Sequence, residues 1–379
     1  MRILAIDIGT GTQDIVLFDS SREPENCFKM VMPAPTQIYA ARIRQATARR
    51  LPLALGGKLM GGGPISAAIE AHLKSGLRVY AEPQAARTMN DDLDRVRAIG
   101  VHVISPGDRL PADAVALDLK DLDLESIGVA LTAFGLTPEY DALAVAALDH
   151  GNAPPDVSDR VFRFQHIQRI ASHACLHAQG SPELGLLAFA YLGGELPDYL
   201  TRLRAIAASA PPDLPLVLLD TGAAASLGAL QDPQVRRHRN LALVNVGNMH
   251  TLATHIDNGR LAGIVEHHTH RLTPAALAGY VVRLAKGALT HEEVFADHGH
   301  GCFVAPGDFR STVRPFVSVT GPRRGMLARG LRGAQLAPGS PYYAVPHGDM
   351  MTAGCWGLIR ACAHKAPAWS SEIVRALER

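Results

Sequence analysis

Residues 3–18 read Ile3-Leu4-Ala5-Ile6-Asp7-Ile8-Gly9-Thr10-Gly11-Thr12-Gln13-Asp14-Ile15-Val16-Leu17-Phe18, two apolar runs separated by a Gly/Thr turn. Short apolar runs flanking such a turn predict a β-hairpin whose loop backbone is exposed. Gly9 and Gly11 carry no Cβ, so a bulky anion can approach their N–H groups closely. Thr10 and Thr12 add hydroxyl donors. Asp7 puts a carboxylate at the strand end, where a divalent cation would bridge to phosphate. An ordinary hairpin with a Gly-Thr turn fits the same residues, so the stretch needs support from the rest of the chain.

The 379 residues exceed what one small core requires and predict two lobes. Hydrophobic residues make up 47% of the chain but aromatics only 5%, so Ala, Leu and Val must build most of the core. Thirty-seven basic residues against 36 acidic ones give a net charge of +1. That balance argues against nucleic acid or an anionic membrane as the main partner. The cysteines (Cys27, Cys175, Cys302, Cys355, Cys362) are scattered and none forms a CxxC pair, which suggests neither a disulfide framework nor an iron–sulfur site. No basic stretch followed by an apolar signal region opens the chain, and the apolar run at 184–192 is far short of a membrane span. A soluble, cytoplasmic protein is expected.

Along the chain, 27–32 is expected as a third strand and 36–50 as a helix ending on Arg49-Arg50, where cations suit the C-terminal dipole. A strand at 51–55 leads through the Gly-rich segment 56–63 into a helix over 65–75, with Pro64 suited to its first position. That segment suits either an anion at the helix N-terminus, countered by Lys58, or a tight strand-to-helix crossing. Strands at 77–81, 101–104 and 142–148, with a helix at 91–99, continue an α/β alternation. Residues 151–165 read as loop and 166–209 as a long helical stretch with brief breaks. A buried strand at 216–219 follows.

The second half restarts the opening device. An apolar strand at 241–246 meets Gly247-Asn248-Met249-His250-Thr251 and a further strand at 252–256, then a turn at Asp257-Asn258-Gly259 and a strand at 261–265. Two such loops, one in each lobe, would grip a nucleotide between them.

Five ordered segments, spanning nearly the whole chain, resemble the superfamily of acetate and sugar kinases, Hsp70 chaperones and actin. Asp7 to Asp14 matches its first phosphate segment and Asn245 to Thr251 its second. Leu219-Asp220-Thr221-Gly222 opens a small-residue stretch matching the first connecting helix, and Gly348-Asp349 to Leu358 matches the second. Val319-Thr320-Gly321-Pro322 stands where the adenosine segment is expected. The resemblance implies a two-lobed, actin-like ATPase fold of the ribonuclease H-like kind. The first lobe would take residues 1–230 and regain 349–379, and the second would take 231–348.

The match also departs from the pattern. Asn245 stands where the superfamily usually has Asp, and an amide supplies no charge for Mg²⁺. Asn248 and Met249 replace common glycines, and one Gly precedes Pro322 where a pair is usual. More narrowly, Asp149-His150-Gly151, Glu266-His267-His268-Thr269, Asp297-His298-Gly299-His300-Gly301 and His347-Gly348-Asp349 resemble a prokaryotic family often labelled pyruvate formate-lyase activating enzyme. A radical activating enzyme of that type needs three clustered cysteines for an iron–sulfur cluster, and this sequence has no such motif.

The resemblance implies Mg²⁺-dependent ATP binding with hydrolysis or phosphoryl transfer. Gly9, Thr10, Gly11, Thr12 and Gln13 would serve one side of the phosphates, Gly247, Asn248, His250 and Thr251 the other, and Gly321 the base. Asp7 would carry the metal interaction. Asp220 is either the base that acts on an acceptor or water, as the related kinases and ATPases imply, or simply a helix N-cap. Three outcomes stay open: an unidentified small-molecule acceptor, a protein partner switched by ATP, or nucleotide binding without catalysis. A kinase would show an acceptor pocket near Asp220, walled by 56–63 and Asp149-His150; a switch would not.

Histidine is abundant, at 17 residues. His267, His268, His270, His298 and His300 either build a transition-metal site or only hydrogen-bond their surroundings. On a strand His268 and His270 share a face, and His267 points away. Arg323 and Arg324 are left unassigned between nucleotide contacts and solvated loop cations.

Overall fold

The apolar runs flanking the first turn pair as antiparallel strands β1 (Arg2–Ile8) and β2 (Thr12–Asp19), with Asp7 opposite Asp14. The computed structural model describes residues 1–105, 107–177, 181–306, 314–333 and 336–379. β3 (Phe28–Pro33) extends the meander. Four parallel strands follow: β4 (Leu53–Gly57), β5 (Val79–Ala81), β6 (Val101–Val103) and β7 (Val115–Leu119). Then come β8 (Ala142–Ala147), β9 (Ala190–Leu192) and β10 (Leu216–Leu219). The second half contributes β11 (Leu241–Val246), β12 (His250–Asp257), β13 (Arg260–His268), β14 (Gly301–Val304), β15 (Phe316–Thr320) and β16 (Tyr342–Tyr343).

Two six-stranded sheets share one plan, ordered β3-β2-β1-β8-β10-β9 and β14-β13-β12-β11-β15-β16. In each, an antiparallel meander continues into two strands parallel to its first strand, β8 and β10 beside β1 and β15 and β16 beside β11. This duplicated plan is the two-lobed, actin-like ATPase fold of the ribonuclease H-like kind. The parallel neighbours inside the first sheet, β1, β8 and β10, are buried along almost their whole length, as strands covered on both faces should be.

Between the two halves of the first sheet in sequence lies a separate parallel sheet, β6-β5-β4-β7, with its own core of residues such as Ile43, Leu55, Ile65 and Ile69. Residues 1–230 therefore build two sheets, a division the sequence reading did not anticipate. β7 and the helix Leu124–Ala133 were also unforeseen.

Other local expectations shift in identifiable ways. The segment 151–165, read as loop, already enters the helix Asp159–His177, because Pro154 and Pro155 stop only its first residues. The supposed helical stretch 166–209 contains β9, whose Ala190, Tyr191 and Leu192 pair antiparallel with β10 at the sheet edge. Tertiary pairing there overrides local propensity. Lys58 donates to the carbonyl of Ala208, away from the start of the helix Pro64–Lys74, so it is not the counter-charge for an anion there. Among the described residues no helix is long and apolar enough to cross a membrane.

Two helices join the sheets. The first crossing helix (Thr221–Ala229) is Gly-Ala-Ala-Ala-Ser-Leu-Gly-Ala after its first residue, and all of these are buried. The second crossing helix (Ala353–Lys365) packs across it at backbone contact. A Cβ on Gly228 would overlap the carbonyl of Ala353, and one on Gly357 the carbonyl of Ala224. Only glycine permits that approach. Gly228→Ala is expected to cost about 2 kcal/mol or more by forcing the helices apart, read from denaturant midpoints. Gly194→Ala, where an added Cβ meets nothing within 4 Å, should change stability by less than about 0.5 kcal/mol. Equal effects at the two sites would contradict this account of the crossing.

Candidate functional site

The two hairpin turns are built alike. Gly9 N–H donates to the Thr12 carbonyl at 2.9 Å, and Gly247 N–H donates to the His250 carbonyl at 3.0 Å. Counting back from each turn places Asp7 and Asn245 at equivalent positions. Across the strands their partners are Asp14 and Leu252. The duplicated hairpins thus carry two carboxylates on one side and an amide and an apolar residue on the other. The turns also meet, since the Asn248 side chain lies directly over Gly11.

Between the turns runs a cleft with about 850 Å³ of space, including its open mouth. Asp7, Gly9, Thr10 and Thr12 line one wall and Gly247, Asn248 and His250 the other; Gly321 and Pro322 lie at the edge with Met350 and Met351. Gly321 has φ +90° and sits so close to Val246 and Asn245 that a side chain could not be accommodated. Its N–H donates to Met350 Sδ at 3.1 Å.

Four residues expected at this cleft are placed otherwise. Gln13 and Thr251 each sit one residue out of step with the inward-facing positions, so strand alternation turns them away. Gln13 Nε2 donates to the Pro33 carbonyl at 3.1 Å, and Thr251 is buried against Thr269 Oγ1 at 2.9 Å. Gly11 is covered by Asn248. Asp220 caps the first crossing helix, accepting from Gly222 N–H at 2.9 Å, and its other oxygen lies 2.9 Å from Arg163 Nη1. It lines a small apolar hollow with Ile167 and Leu186 and not the cleft. With both oxygens engaged, the carboxylate is not a free base in this arrangement, and the capping role is the one it fills.

Asp14 is the residue the sequence reading passed over, although the register of a hairpin turning at Gly9–Thr12 brings it opposite Asp7. Both side chains are buried. Thr221 Oγ1 donates to Asp7 Oδ1 at 2.6 Å, while Asp14 Oδ1 has no partner. Burial first, then the nearby Asp220 charge, pushes Asp7 up to about 7 against the lowering effect of Thr221. Burial and the facing Asp7 push Asp14 up to about 8. The second crossing helix closes the pair from behind, with Gly354 against the Asp7 carboxylate.

Below the second hairpin, Arg163 and Glu266 form a fully buried fork. Arg163 Nε donates to Glu266 Oε2 at 2.7 Å and Nη2 to Oε1 at 2.5 Å, while Nη1 donates to the Asp149 carbonyl at 2.9 Å. Burial alone would raise Glu266, but the Arg163 guanidinium outweighs it and holds the carboxylate below its usual range. Around this fork stand His150, His250, His268 and His300. Burial depresses all four, His250 to about 3 and His268 to about 4, so their rings are neutral at neutral pH. His267 turns away, Nε2 lying 2.9 Å from the Asp297 carbonyl, and His270 is exposed. Of the histidines singled out from sequence, His268 and His300 come together. Their companions His150 and His250 come from a loop and a turn that sequence alone does not bring close.

A second hollow opens from the cleft, sharing Thr10, Arg202 and His250 with it. Its walls are the Leu59–Gly63 loop, Asp91, and Asp149 with His150. Asp91, pushed up to about 6 chiefly by burial, leaves Oδ1 unpartnered.

Fold and site together define an actin-like ATPase scaffold with a cleft between two facing hairpin turns. The chain belongs to the DUF1786 family, described as "Putative pyruvate format-lyase activating enzyme", whose model matches residues 60–326. No curated protein matches the sequence. Solved structures similar to it include the activator of the 2-hydroxyisocaproyl-CoA dehydratase from Clostridium difficile with bound ADPNP. That match has 10% identity, covers 98% of each chain and has a TM-score of 0.35. Component A of (R)-2-hydroxyglutaryl-CoA dehydratase from Acidaminococcus fermentans matches at 10% identity over 94% of this chain and 96% of that one, with a TM-score of 0.30. The ROK hexokinase of Thermus thermophilus matches at 12% identity over 97% and 100%, with a TM-score of 0.29. The five cysteines of the chain are all free and buried.

The carboxylate pair makes stability fall as pH rises. Asp7 and Asp14 hold protons in the folded state well above the ordinary value of 3.8, so the native form binds more protons than the unfolded chain until their folded pKa values are passed. The buried histidines act in the opposite sense, because the unfolded chain protonates them near their ordinary value of 6.5 while the fold keeps them neutral, so the carboxylate effect dominates only above about pH 7.5. The melting temperature without divalent metal should therefore drop between about pH 7.5 and 8.5. Asp14→Asn should flatten the drop and raise the value at pH 8 by roughly 2–5 °C. An unchanged slope in Asp14→Asn would contradict the arrangement.

Proposed function

We propose that the cleft binds a nucleoside triphosphate, ATP being the expected one, with Mg²⁺. The phosphates would lie between the Gly9–Thr12 and Gly247–His250 turns, and the base beside Gly321, Pro322 and Met350. The single observation that carries this reading is the pair of equivalently built turns facing each other with two carboxylates behind one of them. Backbone N–H groups in such turns, with the Thr10 and Thr12 hydroxyls, are suited to phosphate oxygens. The first lobe, residues 1–230 with 349–379, and the second, residues 231–348, would close on the nucleotide and exclude water from the transferred group.

The donor set fits Mg²⁺. Asp7 and Asp14 are hard oxygen donors, Asp14 Oδ1 lacks a partner, and mutual repulsion at close quarters is what a divalent cation relieves. Mg²⁺ bound there would neutralise charge on the phosphates. Asn245 adds none, so the chain's own charge for the metal comes from the first hairpin. Asp220 is assigned a positioning role: it caps the first crossing helix and holds Arg163. The turn donors hold the phosphate chain, and closure of the lobes aligns it toward the second hollow.

That hollow has two of the walls expected of an acceptor pocket, the Gly-rich loop and Asp149-His150, but not Asp220, and on those walls we favour phosphoryl transfer to a small-molecule acceptor over a purely protein-directed switch. It adjoins the phosphate turns through Thr10 and His250 and presents Asp91 and Asp149 beside the Leu59–Gly63 loop. An ATP-driven action on a protein partner is the alternative reading.

Mg-ATP is expected to raise the melting temperature by several degrees, with EDTA removing most of the rise and Asp7→Asn abolishing its Mg²⁺ dependence. Phosphate release that increases when a small hydroxylated or carboxylated metabolite is added would support the acceptor. The absence of any Mg-ATP shift in the native protein would contradict nucleotide binding here.

A further inference from the structure

Main-chain N–H groups and threonine hydroxyls suffice for the phosphates even at the turn that carries His250, so the clustering of imidazole rings at the junction of the cleft and the second hollow needs its own explanation. Three chain segments deliver them. His150 follows β8, a parallel strand of the first sheet; His250 opens β12 at the second turn; His300 immediately precedes β14. Ring centroids are 5.5 Å apart for His150 and His250, 5.4 Å for His150 and His300, and 5.1 Å for His250 and His300. One nitrogen from each lies within 4.8 Å of the others. His268, opposite His250 in the β12–β13 ladder, adds a fourth ring 4.6 Å from His300.

Polar atoms at this place are left over. His300 is completely buried, yet neither ring nitrogen makes a hydrogen bond, and His250 Nε2 is likewise buried and unpartnered. Buried polar groups without partners are costly, and each one needs a reason. His300 Nδ1 faces Glu266 Oε2 at 3.5 Å, outside hydrogen-bond geometry, while Arg163 fixes that carboxylate from the other side. A carboxylate close to one ring nitrogen, leaving the other free for an ion, is how proteins orient metal-binding imidazoles. Nitrogens bound to a tetrahedral ion at about 2.1 Å sit roughly 3.4 Å from each other, within reach of small ring rotations here.

We propose that His150, His250 and His300 bind one divalent transition-metal ion of the Zn²⁺ or Fe²⁺ class, oriented by the Glu266–Arg163 fork. Imidazole donors select such ions over Mg²⁺, which prefers the carboxylates of the first hairpin. Three protein ligands leave a coordination position open, and His150 and His250 line the second hollow, so that position takes an oxygen donor from a ligand bound there. The proposal does not depend on nucleotide binding.

The test uses the full-length protein stripped with chelator and titrated with Co²⁺ in the absence of nucleotide. One Co²⁺ per chain, with intense visible absorption of a four-coordinate site and displacement by Zn²⁺, is expected. His150→Gln and His250→Gln, both at partly exposed positions, should each weaken binding at least 10-fold while leaving the far-ultraviolet circular dichroism unchanged. X-ray absorption of the Zn²⁺-loaded native protein should show three nitrogen donors near 2.0 Å, a readout that needs no variant to fold. Native protein that binds no Co²⁺ stoichiometrically, variants that bind as tightly as the native chain, or an all-oxygen shell around Zn²⁺ would each overturn the proposal. Mg-ATP binding is measured separately, so its failure would leave this result standing.

Discussion

Everything at the cleft depends on how closely two helices cross. The first crossing helix enters from β10 and leads on to β11, and the second returns from the far sheet to lie against β1. Because Gly228 and Gly357 let the backbones touch, the hairpins of the two sheets are held face to face at a separation set by main chain and not by long side chains. The same contact brings Gly354 against Asp7, so the helix that joins the sheets also desolvates the acidic pair. Geometry and electrostatics of the site thus share one cause. Such crossings tolerate almost no added volume, since interiors are packed as densely as crystals.

A second tie runs beneath the cleft. Arg163, on the helix Asp159–His177, reaches Glu266 on β13, the Asp149 carbonyl after β8 and Asp220 at the mouth of the first crossing helix. The Arg163–Glu266 pair is fully buried, and desolvation offsets much of its attraction, so it is weak evidence for stability by itself. The effect of the network is positional: it fixes the ends of three elements around the histidine cluster. Asp220 belongs to this network, which explains why a carboxylate in a familiar catalytic position in sequence is not turned to the cleft.

Much of this was legible in the chain. The opening hairpin, its echo at residue 245 and the small-residue helix after Asp220 follow from period-two apolar runs, turn glycines and a helix stripped of bulky side chains. Asp14 was legible in principle, because counting outward from the turn pairs it with Asp7. Three strands of the parallel sheet, β4, β5 and β6, stood out as short apolar runs, but β7 did not, and only tertiary pairing shows that the four form a sheet of their own. β9 is a similar case at a sheet edge. The histidine cluster was half legible: His268 and His300 stood out in the sequence, whereas His150 and His250 lie 100 positions apart and meet only when the two sheets dock.

The central claim is that a nucleotide lies between the two hairpin turns. Backbone hydrogen exchange measured with and without Mg²⁺ and a non-hydrolysable ATP analogue tests it directly. The account predicts slowed exchange at the amides of residues 9–12, 247–250 and 321 together, one signal from each side of the cleft. Unchanged exchange at both turns, or protection confined to a surface remote from them, would contradict it.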